Sequence, residues 1–196
     1  MASGLLISLE GVDGAGKTTI ARRLVRWLRG RGVEARYTRE PTGGPYGRLL
    51  RRLAHGRRVD PRVEALLFAA DRLYHLERIV EPLLGEGYVV VSDRYLHSSL
   101  AYQGASVGDL GWVEELNRFA RRPDLGILLD VRPEVGLGRL RGRRSRFERE
   151  EFLGRVREVY LRYVDRGDLL RVDAEKPLEE VFSEVAGIVE DLLGLA

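Results

Sequence analysis

Leu5–Glu10 is a short apolar run that ends at a glycine, the pattern of a strand buried on both faces. From 16 to 31 the apolar residues Ile20, Leu24, Val25 and Leu28 recur at helical spacing, and Gly30 and Gly32 close the helix. Val33–Glu40 alternates as a second strand and stops at Pro41. Helical spacing then covers 46–54 and 62–84, divided by a turn over His55–Pro61. Tyr88–Ser92 (YVVVS) and Leu125–Val131 (LGILLDV) are further unbroken strand runs. Helices are predicted at 133–141 and 150–166, a short strand at 169–172, and a last helix at 177–193. Periodicity assigns no element between Asp93 and Leu125. Apolar strands interleaved with helices imply a parallel sheet covered on both faces. No repeat or long linker divides the chain, so an α/β fold with a single domain over 1–196 is expected.

Composition narrows the classes. The 196 residues are 44% hydrophobic with a mean hydropathy of -0.23, enough apolar material to exclude a disordered chain. No apolar run approaches the roughly 20 residues of a membrane span. The opening MASGLLISLEG has no basic stretch before its apolar residues, which argues against a signal peptide. Without cysteine there is neither a disulfide framework nor a thiolate metal site. A soluble cytoplasmic protein is the expectation. The net charge is +3, yet only two of the 33 basic residues, Lys17 and Lys176, are lysine. A pI near 9.4 admits nucleic-acid binding. Against it, 30 acidic residues are interspersed, and the one dense basic tract lies around 139–149. Arginine's bidentate fork equally suits a small phosphorylated ligand.

Gly11-Val12-Asp13-Gly14-Ala15-Gly16-Lys17-Thr18 matches G-x-x-x-x-G-K-[ST] between a predicted strand and a predicted helix. The glycines let backbone N–H groups wrap a phosphate at a helix N-terminus. In such a loop the lysine reaches the β- and γ-phosphates and the Thr18 hydroxyl sits on Mg²⁺. Asp93, at the end of the next apolar strand, is placed for the same Mg²⁺, although a helix cap reads equally well there. Arg94 beside it suits an acceptor phosphate.

Taken in order, GVDGAGKTT, TREP, LLFAADR, DRYLHSSLAYQG and the arginine-rich 139–149 resemble the thymidylate kinase (dTMP kinase) family, from Leu5 to the last helix. The resemblance implies a P-loop NTPase-type sheet of the nucleoside-monophosphate-kinase kind. It implies transfer of the ATP γ-phosphoryl group to dTMP, giving dTDP, with Mg²⁺, in a homodimer. By the same resemblance Asp13 meets the sugar 3′-hydroxyl and orders Arg94, which grips the dTMP phosphate. Phe68 stacks on thymine, and Arg72, four residues on and so on the same helix face, bonds a base oxygen. Ser99 and Gln103 are further base contacts, and Tyr102 crowds the sugar 2′ position. Arg51 is a second phosphate-binding arginine, with Arg48 and Arg52 as neighbours in an open register.

The family draws a catalytic cation either from the P-loop, just after the acid, or from a lid. The P-loop position here is Gly14, which leaves the lid, about 139–149. Arg146 best matches, with Arg143 and Arg144 as alternatives. Arg139 or Arg141 lies against adenine, bordered by Val172-Asp173-Ala174. Plainer readings stand beside these: Phe68 as core, Asp13 as a solvated acid, and 139–149 as a basic loop. Two rivals to the dTMP kinase are kept. One is another P-loop nucleotide or nucleoside kinase, for which Glu40 is the candidate base. The other is an ATP-dependent nucleic-acid-binding protein.

Overall fold

The computed structural model of the chain describes residues 4–54, 59–140 and 149–195. Strands β1 (Leu5–Glu10), β2 (Ala35–Arg39), β3 (Val89–Asp93), β4 (Leu125–Asp130) and β5 (Leu170–Asp173) form one sheet, ordered β2-β3-β1-β4-β5. Every pairing is parallel. β3 is buried along its whole length, and β1 everywhere but its first residue. Two-sided burial is why neither strand alternates in sequence.

The helices are α1 (Lys17–Gly30), α2 (Pro45–Ala54), α3 (Pro61–His75), α4 (Glu81–Gly85), α5 (Leu96–Val107), α6 (Leu110–Leu116), α7 (Pro133–Arg139), α8 (Glu150–Asp165) and α9 (Leu178–Leu193). They cover both faces of the sheet: α1 packs with α9, and α5 packs with α8. In α1 the buried residues Ile20, Leu24, Val25 and Leu28 form the stripe that the spacing marks. Gly32, at φ 79°, then lets the chain turn back while its N–H bonds the Arg29 carbonyl.

Two expectations from periodicity are corrected. The segment 62–84 is not one helix, because a π-helical stretch, Leu76–Val80, separates α3 from α4. Pro82, in the first turn of α4, has no N–H to give to an i−4 carbonyl, and the wider turn absorbs that loss. The unassigned segment holds α5 and α6. Nine consecutive residues of α5, Leu96–Gly104, are buried, so this helix has no polar face to set a period.

The P-loop meets α7 backbone to backbone. Gly14 stands at φ 82°, and a Cβ there would lie 2.0 Å from the Gly136 carbonyl oxygen. A Cβ on Gly136 would lie 2.5 Å from the carbonyl oxygen of Asp13, whereas Gly138, on the same helix, has open space. Gly136→Ala is therefore expected to destabilise the fold by about 1–3 kcal/mol through overpacking. Gly138→Ala is expected to be neutral or to gain up to about 1 kcal/mol from helix propensity. Denaturant unfolding of the pair checks this; equal midpoints would refute the close contact.

Part of the predicted turn (55–58) and most of the arginine-rich stretch (141–148, with Arg141, Arg143, Arg144 and Arg146) lie outside the described residues.

Candidate active site

The P-loop follows β1 at the carboxyl end of the sheet, where strand ends open onto a ligand crevice. Gly11, Gly14 and Gly16 all adopt positive φ, and Gly16 gives α1 no side-chain cap. The first N–H groups of the helix thus have no side-chain acceptor, which suits an anion. Lys17 is buried, and its Nζ donates to the Val12 carbonyl across the loop at 2.8 Å. Burial, reinforced by nearby Arg94, lowers its pKa to about 8, against the pull of Asp13, Asp93 and Glu10.

Parallel pairing places Leu9 opposite Asp93, which brings that carboxylate beside the loop. The Thr18 hydroxyl donates to Asp93 Oδ2, and the Tyr37 hydroxyl approaches the same oxygen at 3.3 Å. Two adjacent hard oxygens fit Mg²⁺, which characteristically takes one or two protein ligands and fills its shell with water and phosphate. No cluster of three or more acidic or histidine side chains is placed to hold a metal among the described residues.

Arg94 has a backbone φ of 69°, a conformation a bulky residue adopts only when its surroundings enforce it. Its Nη2 donates to Asp13 Oδ1 and its Nη1 to the Gly11 carbonyl at 3.1 Å. The Tyr102 hydroxyl donates to Asp13 Oδ2 at 3.0 Å and accepts the Asp13 N–H at 3.1 Å. Burial alone would raise the Asp13 pKa, but Arg94, Lys17 and Tyr102 outweigh it and hold the carboxyl below its usual range. Asp13 is therefore a fixed anion clamped to Arg94, not a solvated loop acid.

A cavity of about 160 Å³ opens beside this clamp and is lined by Phe68, Arg72, Ser99, Tyr102 and Gln103. Arg72 is 1% exposed. It donates to Glu40 Oε2 at 2.6 Å, Ser99 Oγ at 2.9 Å, the Tyr95 carbonyl at 3.0 Å and Asn117 Oδ1. His75 bridges Glu40 and Thr38, at 3.0 and 2.6 Å. Burial would raise the Glu40 pKa, but Arg72 and His75 together lower it. Glu40 is thereby committed as a counter-ion, which removes the base that a nucleoside kinase reading needed.

A larger cleft of about 1030 Å³ runs from the P-loop past Asp93 to Arg139, Leu140 and Ala174. Arg139 Nη1 holds the Ala174 carbonyl at 2.8 Å. Asp13, Arg51 and Arg94 line both cavities. Arg51 donates to the Pro41 carbonyl at 3.0 Å and lines both cavities, whereas exposed Arg48 donates to the Gly43 carbonyl and lines neither of them. Asp13, Gly14, Ala15, Gly16, Lys17 and Thr18 line the larger cleft; Gly11 and Val12 do not, and serve through their carbonyls.

Sequence reasoning missed Arg39, Asn117, His75 and the pairing of Glu40 with Arg72. Arg39 lines the larger cleft, and its side chain makes no hydrogen bond or ion pair among the described residues. The TREP motif that contains Arg39 and Glu40 was the available signal for two of them.

A family model described as thymidylate kinase matches residues 9–185 of the chain. A probable thymidylate kinase of Thermococcus gammatolerans is 42% identical over 200 residues, covering 95% of this chain and 96% of its own. One from Pyrococcus horikoshii is 43% identical over 203 residues, covering 98% and 99%. The thymidylate kinase of Xylella fastidiosa (strain M12) is 43% identical over 193 residues, covering 97% and 88%. With two cavities sharing a wall beside a P-loop and a match along nearly its whole length, the chain belongs to the thymidylate kinase family.

Proposed function

We propose that the protein transfers the γ-phosphoryl group of ATP to dTMP, giving dTDP, as one kinase domain spanning 1–196. The observation that carries this reading is the sharing of Asp13, Arg51 and Arg94 by both cavities. ATP then occupies the larger cleft, with its phosphates on the P-loop and its base near Arg139 and Ala174. dTMP occupies the smaller one, and its phosphate meets the donor at the shared wall.

In this scheme Arg94 and Arg51 hold the acceptor dianion, and Arg94 starts already oriented by Asp13. Phe68 lies against thymine, Arg72 and Ser99 bond its polar edge, and Gln103 completes the wall. Tyr102, tied to Asp13, crowds the sugar 2′ position. Lys17 follows the charge on the moving phosphoryl group. Mg²⁺, held by Thr18 and Asp93, supplies charge neutralisation between donor phosphates when bound. No general base is needed, because the attacking phosphate oxygen is already ionised. Arg146 supplies a further positive charge from outside the described residues.

The proposed partner is a second copy of the chain. Val63, Leu66 and Leu73 are each about half exposed along one side of α3, an apolar stripe suited to a matching stripe. A cytoplasmic setting is part of the proposal; no described helix is long and apolar enough to cross a membrane. A nucleic-acid partner is no part of it.

A panel of nucleoside monophosphates with ATP and Mg²⁺, read as diphosphate formed, tests the assignment. The expected order is dTMP, then dUMP, then UMP. Faster turnover of CMP or AMP would overturn it.

A further inference from the structure

Glu10 is the last residue of β1, fully buried beneath the P-loop, and no step above uses it. An ionisable group in such a place is costly, and an apolar residue would fill the strand end at lower cost. Its surroundings show what it touches. Glu10 Oε2 accepts a hydrogen bond from Ser98 Oγ at 2.6 Å, while Oε1 has no hydrogen-bond partner among the described residues. Ser98 Oγ also lies 2.9 Å from the Tyr160 hydroxyl and accepts from Arg94 Nη1 at 3.4 Å. The same Nη1 donates to the carbonyl of Gly11, the residue after Glu10. Arg94 is thus held on two sides: Asp13 takes Nη2, facing the cleft, and the Ser98–Glu10 pair backs Nη1 from the core.

We propose that Glu10, acting through Ser98, is a positioning residue for Arg94, fixing the guanidinium in the pose that receives the acceptor phosphate. Glu10 Oε2 orients the Ser98 hydroxyl by accepting its hydrogen bond, so that a lone pair of that oxygen faces Arg94. Without this backing the guanidinium keeps Asp13, the Gly11 carbonyl and the Tyr102 hydroxyl at 3.4 Å, but loses the hydroxyl that backs Nη1 from the core, and its strained backbone is free to relax. The inference rests on the reading of Arg94 as the acceptor-phosphate clamp.

Ser98→Ala and Glu10→Gln test it, with Arg94→Ala as the reference. Ser98→Ala removes one oxygen, and Glu10→Gln keeps the shape while removing the charge. Each is expected to raise KM for dTMP about fivefold, with KM for ATP unchanged and kcat within about twofold. The double variant is expected to be no worse than the weaker single one, because both cut one chain of contacts. Circular dichroism and unfolding temperature confirm folding, and Ser98→Ala carries the test should Glu10→Gln fail to fold. Unchanged KM for dTMP in a folded Ser98→Ala, a parallel rise in KM for ATP, or additive effects would each overturn the proposal. If Arg94→Ala itself leaves KM for dTMP unchanged, the clamp reading fails instead.

Discussion

Lys17→Ala is expected to lower kcat by about 10²–10³-fold, the loss typical of removing one preorganised donor at a site of developing charge. The side chain is buried under the cleft, and among the described residues its ammonium donates to the Val12 carbonyl alone. An incoming phosphate replaces that single carbonyl with a stronger, charged acceptor. The fold should survive. Burial already pulls the lysine pKa down to about 8, so the folded protein holds this ammonium at a cost that a neutral side chain relieves. Steady-state kinetics with circular dichroism check both parts. Loss of the helical signal would mean that Lys17 is structural, and retained kcat would mean that the loop does not carry the transferring group.

Arg146→Ala is expected to lower kcat at least about tenfold, a cautious fraction of the roughly 10³–10⁵ that an arginine finger contributes. Gly14 offers no room for a side chain, because a Cβ there collides with the Gly136 backbone. Most described cations lining the larger cleft are already engaged: Lys17 with Val12, Arg51 with Pro41, Arg94 with Asp13, Arg139 with Ala174 and Lys176 with Glu184. An arginine acting mainly in the transition state should leave KM for dTMP nearly unchanged. Arg143→Ala, Arg144→Ala and Arg39→Ala are the controls. An effect at Arg143 or Arg144 moves the role within the stretch, and one at Arg39 moves it to the end of β2. Near-normal kcat in all four would reduce 139–149 to a solvated basic loop.

The central strands were legible because they are apolar on both sides, and the P-loop because glycine spacing, lysine and hydroxyl have few other uses together. The acceptor half was harder. α5 carries Ser98, Ser99, Tyr102 and Gln103, yet leaves no periodic trace because every side of it is covered. Family motifs located these residues where periodicity was silent. The break after His75 was hidden because apolar residues continue through it, and only Pro82 marks the change of turn. Partnerships were not legible at all. Arg72 meets Glu40, 32 positions earlier, and Asn117, 45 positions later, and only the packed fold sets such distances. Glu10 was visible as a lone acid in an apolar strand, but its link to Ser98 spans 88 positions.

The burial of α5 also shapes how this enzyme can change over generations. Ser99, Tyr102 and Gln103, the side chains proposed to face the acceptor base and sugar, are each no more than 7% exposed and sit in the same layer that holds α3 and α8 in place. A substitution that enlarges the pocket for another nucleotide also disturbs that layer, at about 1–3 kcal/mol. Mutational drift toward a new acceptor therefore passes through weakened folds before any new activity is gained. Substrate choice is inherited together with the core. An engineer seeking a broader acceptor range would first reinforce the scaffold elsewhere.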